Sequence, residues 1–233
     1  MKNTIHIDGA TGTLTILEGA ALTPREPEKV VISGSISAPK DYILVRGADR
    51  ATDHVVFSRS KMFIRYQQNE RDYFGASIEG KLLLNPNLAA FEINAQKLRA
   101  PKELASLLKI NRTFFANKEL NATIVSSLNA FTATVTAKLE QSQDTRGNSK
   151  RSIEKEVESN MPKGFVLSMP IFVGHAPLSF FVEICIDSTD AGVNCWLESP
   201  ELADLILQNR DAIIDAELAA IREKCDMPFV EQL

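Results

Sequence analysis

101-PKELASLLKINRTFFANKELNATIVSSLNAFTATVTAKL-139 is the stretch that decides the fold class. Leu104, Leu107, Leu108 and Phe115 recur at spacings of three, four and seven, which predicts a helix over Pro101 to Phe115 with one apolar stripe. Leu120, Ile124, Val125 and Leu128 repeat the pattern over Lys118 to Asn129. The break at Ala116-Asn117 makes the two a helical hairpin. From Phe131 the period reads as two: Phe131, Ala133, Val135, Ala137 and Leu139 alternate with Thr132, Thr134, Thr136 and Lys138, so a strand is expected.

Strands dominate on both sides. Thr4 to Asp8 and Thr13 to Leu17 alternate around Gly9-Ala10-Thr11-Gly12, a hairpin pattern, and Thr23-Pro24-Arg25-Glu26-Pro27 reads as an extended connector. Lys29 to Ile36, His54 to Ser60, Lys61 to Gln67 and Tyr73 to Glu79 are expected strands, as is the short run Ala90 to Asn94. A short helix through Arg46 is expected after Ser37, with Pro39 in its first turn. Downstream, Ile153 to Glu158, Phe165 to Met169, Leu178 to Asp187 and Val193 to Leu197 complete a meander. Ser199-Pro200-Glu201 then opens a helix to about Lys224: a capping serine, proline at the first position and an acid in the first turn. The expected fold is α+β, with antiparallel sheets, a central helical hairpin and a long C-terminal helix. It is read as one unit over 1–233. A possible subdivision separates strand-rich residues 1–95 from residues 96–233, which hold the hairpin, meander and last helix.

Composition agrees with a globular chain: 233 residues, 44% hydrophobic and 24% charged. At net charge -4, any phosphate contact must come from a local patch. The N-terminus lacks the apolar run of a signal peptide, no stretch is long enough to span a bilayer, and three cysteines without C-x-x-C spacing form no disulfide framework. A cytoplasmic protein away from the membrane is expected.

Two features point to binding. Gln141 to Arg151 is polar, joins two expected strands and carries Arg146, Lys150 and Arg151, so it reads either as a solvated loop or as a basic β-arm able to lie on phosphates or an acidic protein. In the last helix, Leu202, Leu205, Ile206, Ile213, Ala216 and Ala220 form one apolar stripe with Asn209 in its middle. Leu207, Ile214, Leu218 and Ile221 form a second, about 120° away, which either enters the same core or meets a second copy. Other groups read as structural. Glu154, Glu156 and Glu158 share one strand face, the histidines (His6, His54, His175) are scattered, and Cys185 and Cys195 lie on consecutive strands as small buried hydrophobes. Local nucleotide loops, nucleophile elbows and regular metal spacings are absent, so no catalytic residue, cofactor or metal is expected.

Met161-Pro162-Lys163-Gly164-Phe165-Val166-Leu167-Ser168-Met169-Pro170-Ile171-Phe172-Val173-Gly174 resembles the C-terminal half of the YfdQ-like family of uncharacterised phage and prophage proteins. Phe114-Phe115, Phe131, Arg146-Gly147 and the strand from Leu178 fall in the corresponding order, within residues 100–221. The resemblance implies a mobile-element setting and carries over no catalytic residue. Together these readings predict an oligomeric, non-enzymatic binding protein acting on nucleic acid or an acidic host protein. The alternatives are a self-assembling ring or filament protein, and an enzyme whose site is gathered from distant strands.

Overall fold

The computed structural model describes residues 29–49, 51–69, 74–141, 162–189 and 192–233. The expected hairpin at 4–17 and strand at 153–158 lie outside the described residues. The described chain is α+β, with two sheets and a long C-terminal helix, as the sequence pattern predicts.

The first sheet is built from β1 (Val31–Ser35), β2 (His54–Ser58), β3 (Phe63–Gln67), β4 (Ser77–Lys81) and β8 (Phe229–Glu231), in the order β1-β4-β3-β2-β8. β2, β3 and β4 form an antiparallel meander, but β1 and β8 run parallel to their neighbours, so the sheet is mixed rather than antiparallel. β4 ends two residues beyond the expected strand end, and pairing Ile78 with Tyr66 puts both side chains into the core. Helix α1 (Ala38–Arg46) crosses the inner face, with Pro39 in its first turn as expected. It comes so near β4 that a Cβ at Gly80 would meet Pro39 Cδ at 2.8 Å, and the Ser35 carbonyl at the end of β1 would lie at 2.6 Å.

Ala90 to Asn94 is not a strand. A four-residue helix, α2 (Pro86–Ala89), precedes it, and Glu92, Asn94 and Gln96 take φ values of 51°, 64° and 51°, which no strand accommodates. The turn is held from outside. Asn94 Oδ1 accepts the Ser199 amide (2.7 Å), and its Nδ2 donates to the Ser199 carbonyl (2.9 Å).

Helix α3 (Pro101–Ile110), a 3-10 turn (Arg112–Phe114) and helix α4 (Lys118–Gln141) form the central hairpin. Asn117 Oδ1 caps α4 by accepting the Glu119 and Leu120 amides (2.9 and 3.1 Å). The buried Asn121 donates to the Leu108 carbonyl, tying the helices together. The period-two reading of Phe131 to Leu139 is corrected: α4 runs through it. The same segment satisfies a helical stripe, since Ile124, Leu128, Phe131, Val135 and Leu139 follow spacings of four, three, four and four. No glycine or proline stands between Lys118 and Gln141 to stop the helix.

The second sheet is antiparallel, in the order β5 (Gly164–Pro170), β6 (Pro177–Thr189), β7 (Gly192–Glu198). Gly174, at φ 81°, sits in the turn from β5 to β6. The inner face buries Phe165, Leu167, Met169, Phe180, Val182, Cys195 and Leu197 beneath the helical hairpin. α3 spans the sheet from edge to edge: Arg99, before it, bridges Cys195 of β7, and Phe115, after it, bridges Leu167 of β5. The Phe115 ring stacks on Phe165 at 4.6 Å. The two sheets meet where β4 and β5 end, through Val173 N to the Leu83 carbonyl and Asn85 N to the Ile171 carbonyl. Buried side chains form one contiguous cluster through both sheets, from Ile36 to Met227.

Helix α5 (Pro200–Arg222) follows β7 directly. Ser199 caps it, Oγ accepting the Leu202 amide at 3.1 Å.

Candidate functional site

Arg146, Lys150 and Arg151 lie outside the described residues, as do Glu154, Glu156, Glu158 and His6. What the structure does place is the stem on which the basic segment follows. That stem is the C-terminal half of a helix, not the first strand of a β-arm. α4 has 24 residues against ten in α3, so it is about 21 Å longer than its partner at 1.5 Å per residue.

The second stripe of α5 belongs to the chain's own core. Ile214, Leu218 and Ile221 are each no more than 1% exposed, and Leu207 alone of the four is open, at 50%. The expected oligomer interface is therefore corrected. The stripes serve successive neighbours instead. Near its start α5 leans on β6, burying Leu202 and half-burying Leu205, Ile206 and Ile213. Nearer its end it turns Ile214, Leu218 and Ile221 inward and contacts α1, where Lys40 Nζ reaches Glu217 at 3.0 Å. Arg59, after β2, ties the outer side of α5 to the sheet through Asp215 (2.5 Å) and Glu231 (2.7 Å). Asn209, the polar residue within the first stripe, lines a cleft of about 170 Å³ with His175, Ile171, Phe172, Leu178 and Ile213.

Cys195 is buried in the core, and Cys185 is half-buried. The register places Cys185 opposite Trp196 and Cys195 opposite Ile186, so the two thiols sit on adjacent strands but opposite faces. Burial pushes Cys195 up to about 12. Burial, then Glu198, pushes Cys185 up to about 11. Among the described residues, no group of three or more His, Cys, Asp or Glu is arranged to hold a metal ion.

One polar cluster has no counterpart in the sequence reading. Asp53, 2% exposed, precedes β2 and accepts hydrogen bonds from the Tyr66 hydroxyl, the Asp49 amide (2.7 Å), the Asn69 amide (2.8 Å) and the Thr52 hydroxyl (3.3 Å). Burial pushes its carboxyl up, but the four donors, Tyr66 foremost, outweigh burial and hold it below its ordinary value. Tyr66, fully buried, is raised by burial and by that carboxylate. Every acceptor direction is occupied from within, so the cluster joins β2 to β3 rather than offering a reactive group. Beside it, His54, Val56, Pro228 and Val230 line an open cleft of about 440 Å³. The signal for it in the sequence is thin: Asp49, Thr52 and Asp53 share a turn, but Tyr66 and Asn69 come from a strand away.

Arg65, Glu79 and Lys81 share the face of the first sheet turned away from α1. Arg65 and Lys81 flank Glu79 there, Nε of Arg65 donating at 2.8 Å and Lys81 Nζ lying at 3.2 Å. Arg65, above all, holds the Glu79 carboxyl below its ordinary value.

Comparison with known proteins gives no match: no family model, no curated protein and no solved structure is significantly similar to this chain. Among the described residues, no helix is long and apolar enough to cross a membrane.

Proposed function

We propose that the chain binds nucleic acid through the basic segment carried after α4. The observation that supports it is the reach of α4. Its 24 residues, Lys118–Gln141, rise about 36 Å and lead to a segment of local excess positive charge. Residues 144–151 hold Arg146, Lys150 and Arg151 against Asp144, a balance of +2 in a chain of net -4. Local cations of this kind act on phosphates by releasing condensed counterions, without needing a globally basic protein. The segment contains no aromatic residue, which favours backbone contact over base stacking. A mobile-element setting, implied by the resemblance around Met161 to Gly174, and a cytoplasmic location belong to the same proposal.

The test is fluorescence anisotropy of the full chain against a labelled duplex and a labelled single strand, titrated at several salt concentrations. Duplex binding is expected, with a steep salt dependence. The triple variant Arg146→Ala, Lys150→Ala, Arg151→Ala is expected to reduce the slope of log K against log salt by up to about 2.7, at roughly 0.9 per lost phosphate contact. Absence of binding even at low salt would remove nucleic acid as the ligand and leave an acidic protein to be tested. Binding with an unchanged slope in the triple variant would move the contact elsewhere on the chain.

A further inference from the structure

Between Lys97 and Lys118 the chain carries six cations and one acid, a balance of +5 within a molecule of net -4. Arg99 is largely buried and pairs with Glu92. The other five, Lys97, Lys102, Lys109, Arg112 and Lys118, are exposed, and none of them has an ion-pair partner among the described residues. Arg59 and Arg65, by contrast, are neutralised where they stand, the first by Asp215 and Glu231 and the second by Glu79. Lys102, Ser106 and Lys109 fall at positions i, i+4 and i+7 of α3, within roughly 60° of arc, while Leu104, Ala105 and Leu108 bury the other side of the helix. Arg112 and Thr113, both exposed, follow in the 3-10 turn. Lys102 and Lys118 each stand in the first turn of a helix, where the macrodipole disfavours a cation, so helix stability does not account for them.

We infer that this outward face of α3, with Arg112 in the turn after it, docks on the phosphate backbone of double-stranded DNA. The inference deepens the nucleic-acid reading above and rests on it for the class of ligand, but not on the segment after α4. The occupant follows from the chemistry of the row. Lysine, arginine, serine and threonine are the side chains that contact phosphate oxygens, whereas protein interfaces are depleted in lysine and anchored by aromatic residues in pockets. Leu98 and Ile110 are open, at 56% and 76%, but they lie at opposite ends of α3 and form no patch for a protein partner. Phe114 is half-buried and Phe115 buried, so the face offers a single strand no exposed ring on which to stack. From Lys102 to Lys109 the helix rises about 10.5 Å, over which a duplex presents about six phosphates at one charge per 1.7 Å. A second copy fits less well. The row on α5 with the same spacing of charges and the opposite sign, Asp204, Asp211 and Asp215, is held from within at two positions, by Arg210 on Asp211 and Arg59 on Asp215.

Fluorescence anisotropy of the full chain with a labelled DNA duplex, titrated over salt, compares variants of this face. The triple variant Lys102→Gln, Lys109→Gln, Arg112→Gln is expected to weaken duplex binding at least about 10-fold near 0.1 M salt. It should reduce the slope of log K against log salt by up to about 2.7. Lys109→Gln alone should reduce it by about 0.9, which keeps the test should the triple variant fail to fold. Lys102→Arg, Lys109→Arg, Arg112→Lys preserves the charges and is expected to preserve the slope. Arg46→Gln, Lys61→Gln, Lys224→Gln removes the same charge from exposed sites elsewhere and is expected to leave the slope unchanged. An unchanged slope in the α3 variants would overturn the inference, as would an equal loss in the variant at Arg46, Lys61 and Lys224. Where the α3 variants keep the slope and Arg146→Ala, Lys150→Ala, Arg151→Ala lowers it, the α3 face fails and the segment after α4 stands. The reverse pattern upholds the α3 face and removes that segment. No duplex binding even at low salt overturns both. A single strand bound more tightly than the duplex, or polyglutamate that displaces the duplex as well per charge as unlabelled duplex does, would overturn the duplex as occupant.

Discussion

Tyr66→Phe removes one oxygen from the interior of the first sheet and leaves the ring that packs there. The hydroxyl donates to Asp53, and both residues are essentially inaccessible to water. Asp53 keeps the amides of Asp49 and Asn69 and the Thr52 hydroxyl, so its charge is not stranded. The loss is therefore one charge-assisted hydrogen bond, about 2 kcal/mol at neutral pH. In a chain of this size it should lower the thermal midpoint by roughly 4–8 °C. The folded carboxyl sits below its ordinary 3.8, so its contribution is complete above that value and is lost as pH falls through the lower folded value. The penalty of Tyr66→Phe should shrink in step over that acid range. Urea unfolding followed by both circular dichroism and Trp196 fluorescence reads the effect. Trp196, the single tryptophan, lies on β7 in the other sheet. The two signals are expected to shift together, because the buried cluster is continuous between the sheets. A neutral-pH penalty under about 0.5 kcal/mol, or one that persists undiminished in acid, would refute the role given to the Tyr66–Asp53 bond. A shift in circular dichroism without one in fluorescence would refute the coupling of the sheets.

Ile214→Ala should cost about 2–5 kcal/mol by urea unfolding, as for a core truncation, whereas Leu207→Ala should stay within about 0.5 kcal/mol. Equal and small effects at both sites would return the second stripe of α5 to the surface. Towards a disulfide reagent at pH 8, Cys195 should remain unreactive until the chain unfolds, and Cys185 should react far more slowly than a free thiol. Rapid labelling of Cys195 in the native chain would contradict its placement beneath the hairpin.

Local chemistry is legible in the sequence and pairing is not. Ser199-Pro200-Glu201 announces α5 because a cap acts within one turn, and the Ser199 Oγ to Leu202 amide bond is that cap. Asn85-Pro86 carries the same signal for α2, but a helix of four residues is too short for an apolar stripe to support it. Phe131 to Leu139 misleads because alanine and threonine satisfy two periods at once, and only the absence of a stop residue favours the helix. β8 has no local signature. Three residues become a strand because β2 offers them an edge, after α5 has carried the chain across the sheet. The Asp53 cluster is hidden for a similar reason, since its donors come from the turn before β2, from β3 and from beyond it.

The two stripes of α5 carry a broader lesson about reading association from amphipathicity. Apolar surface beyond one face suggests a second partner, but that partner need not be another molecule when a fold has two sheets. Here the buried side of the helix turns by about 120° along its length, from Leu202 against β6 to Ile214, Leu218 and Ile221 beside α1. Asn209 falls near the changeover, facing a cleft rather than packed core, which is how a polar residue stands within an apolar stripe without a buried, unsatisfied amide. With Ile214, Leu218 and Ile221 in the core, Leu207 is the large apolar side chain that α5 leaves open. Self-association would have to draw on side chains that are open, and these concentrate at β1 and the end of α1.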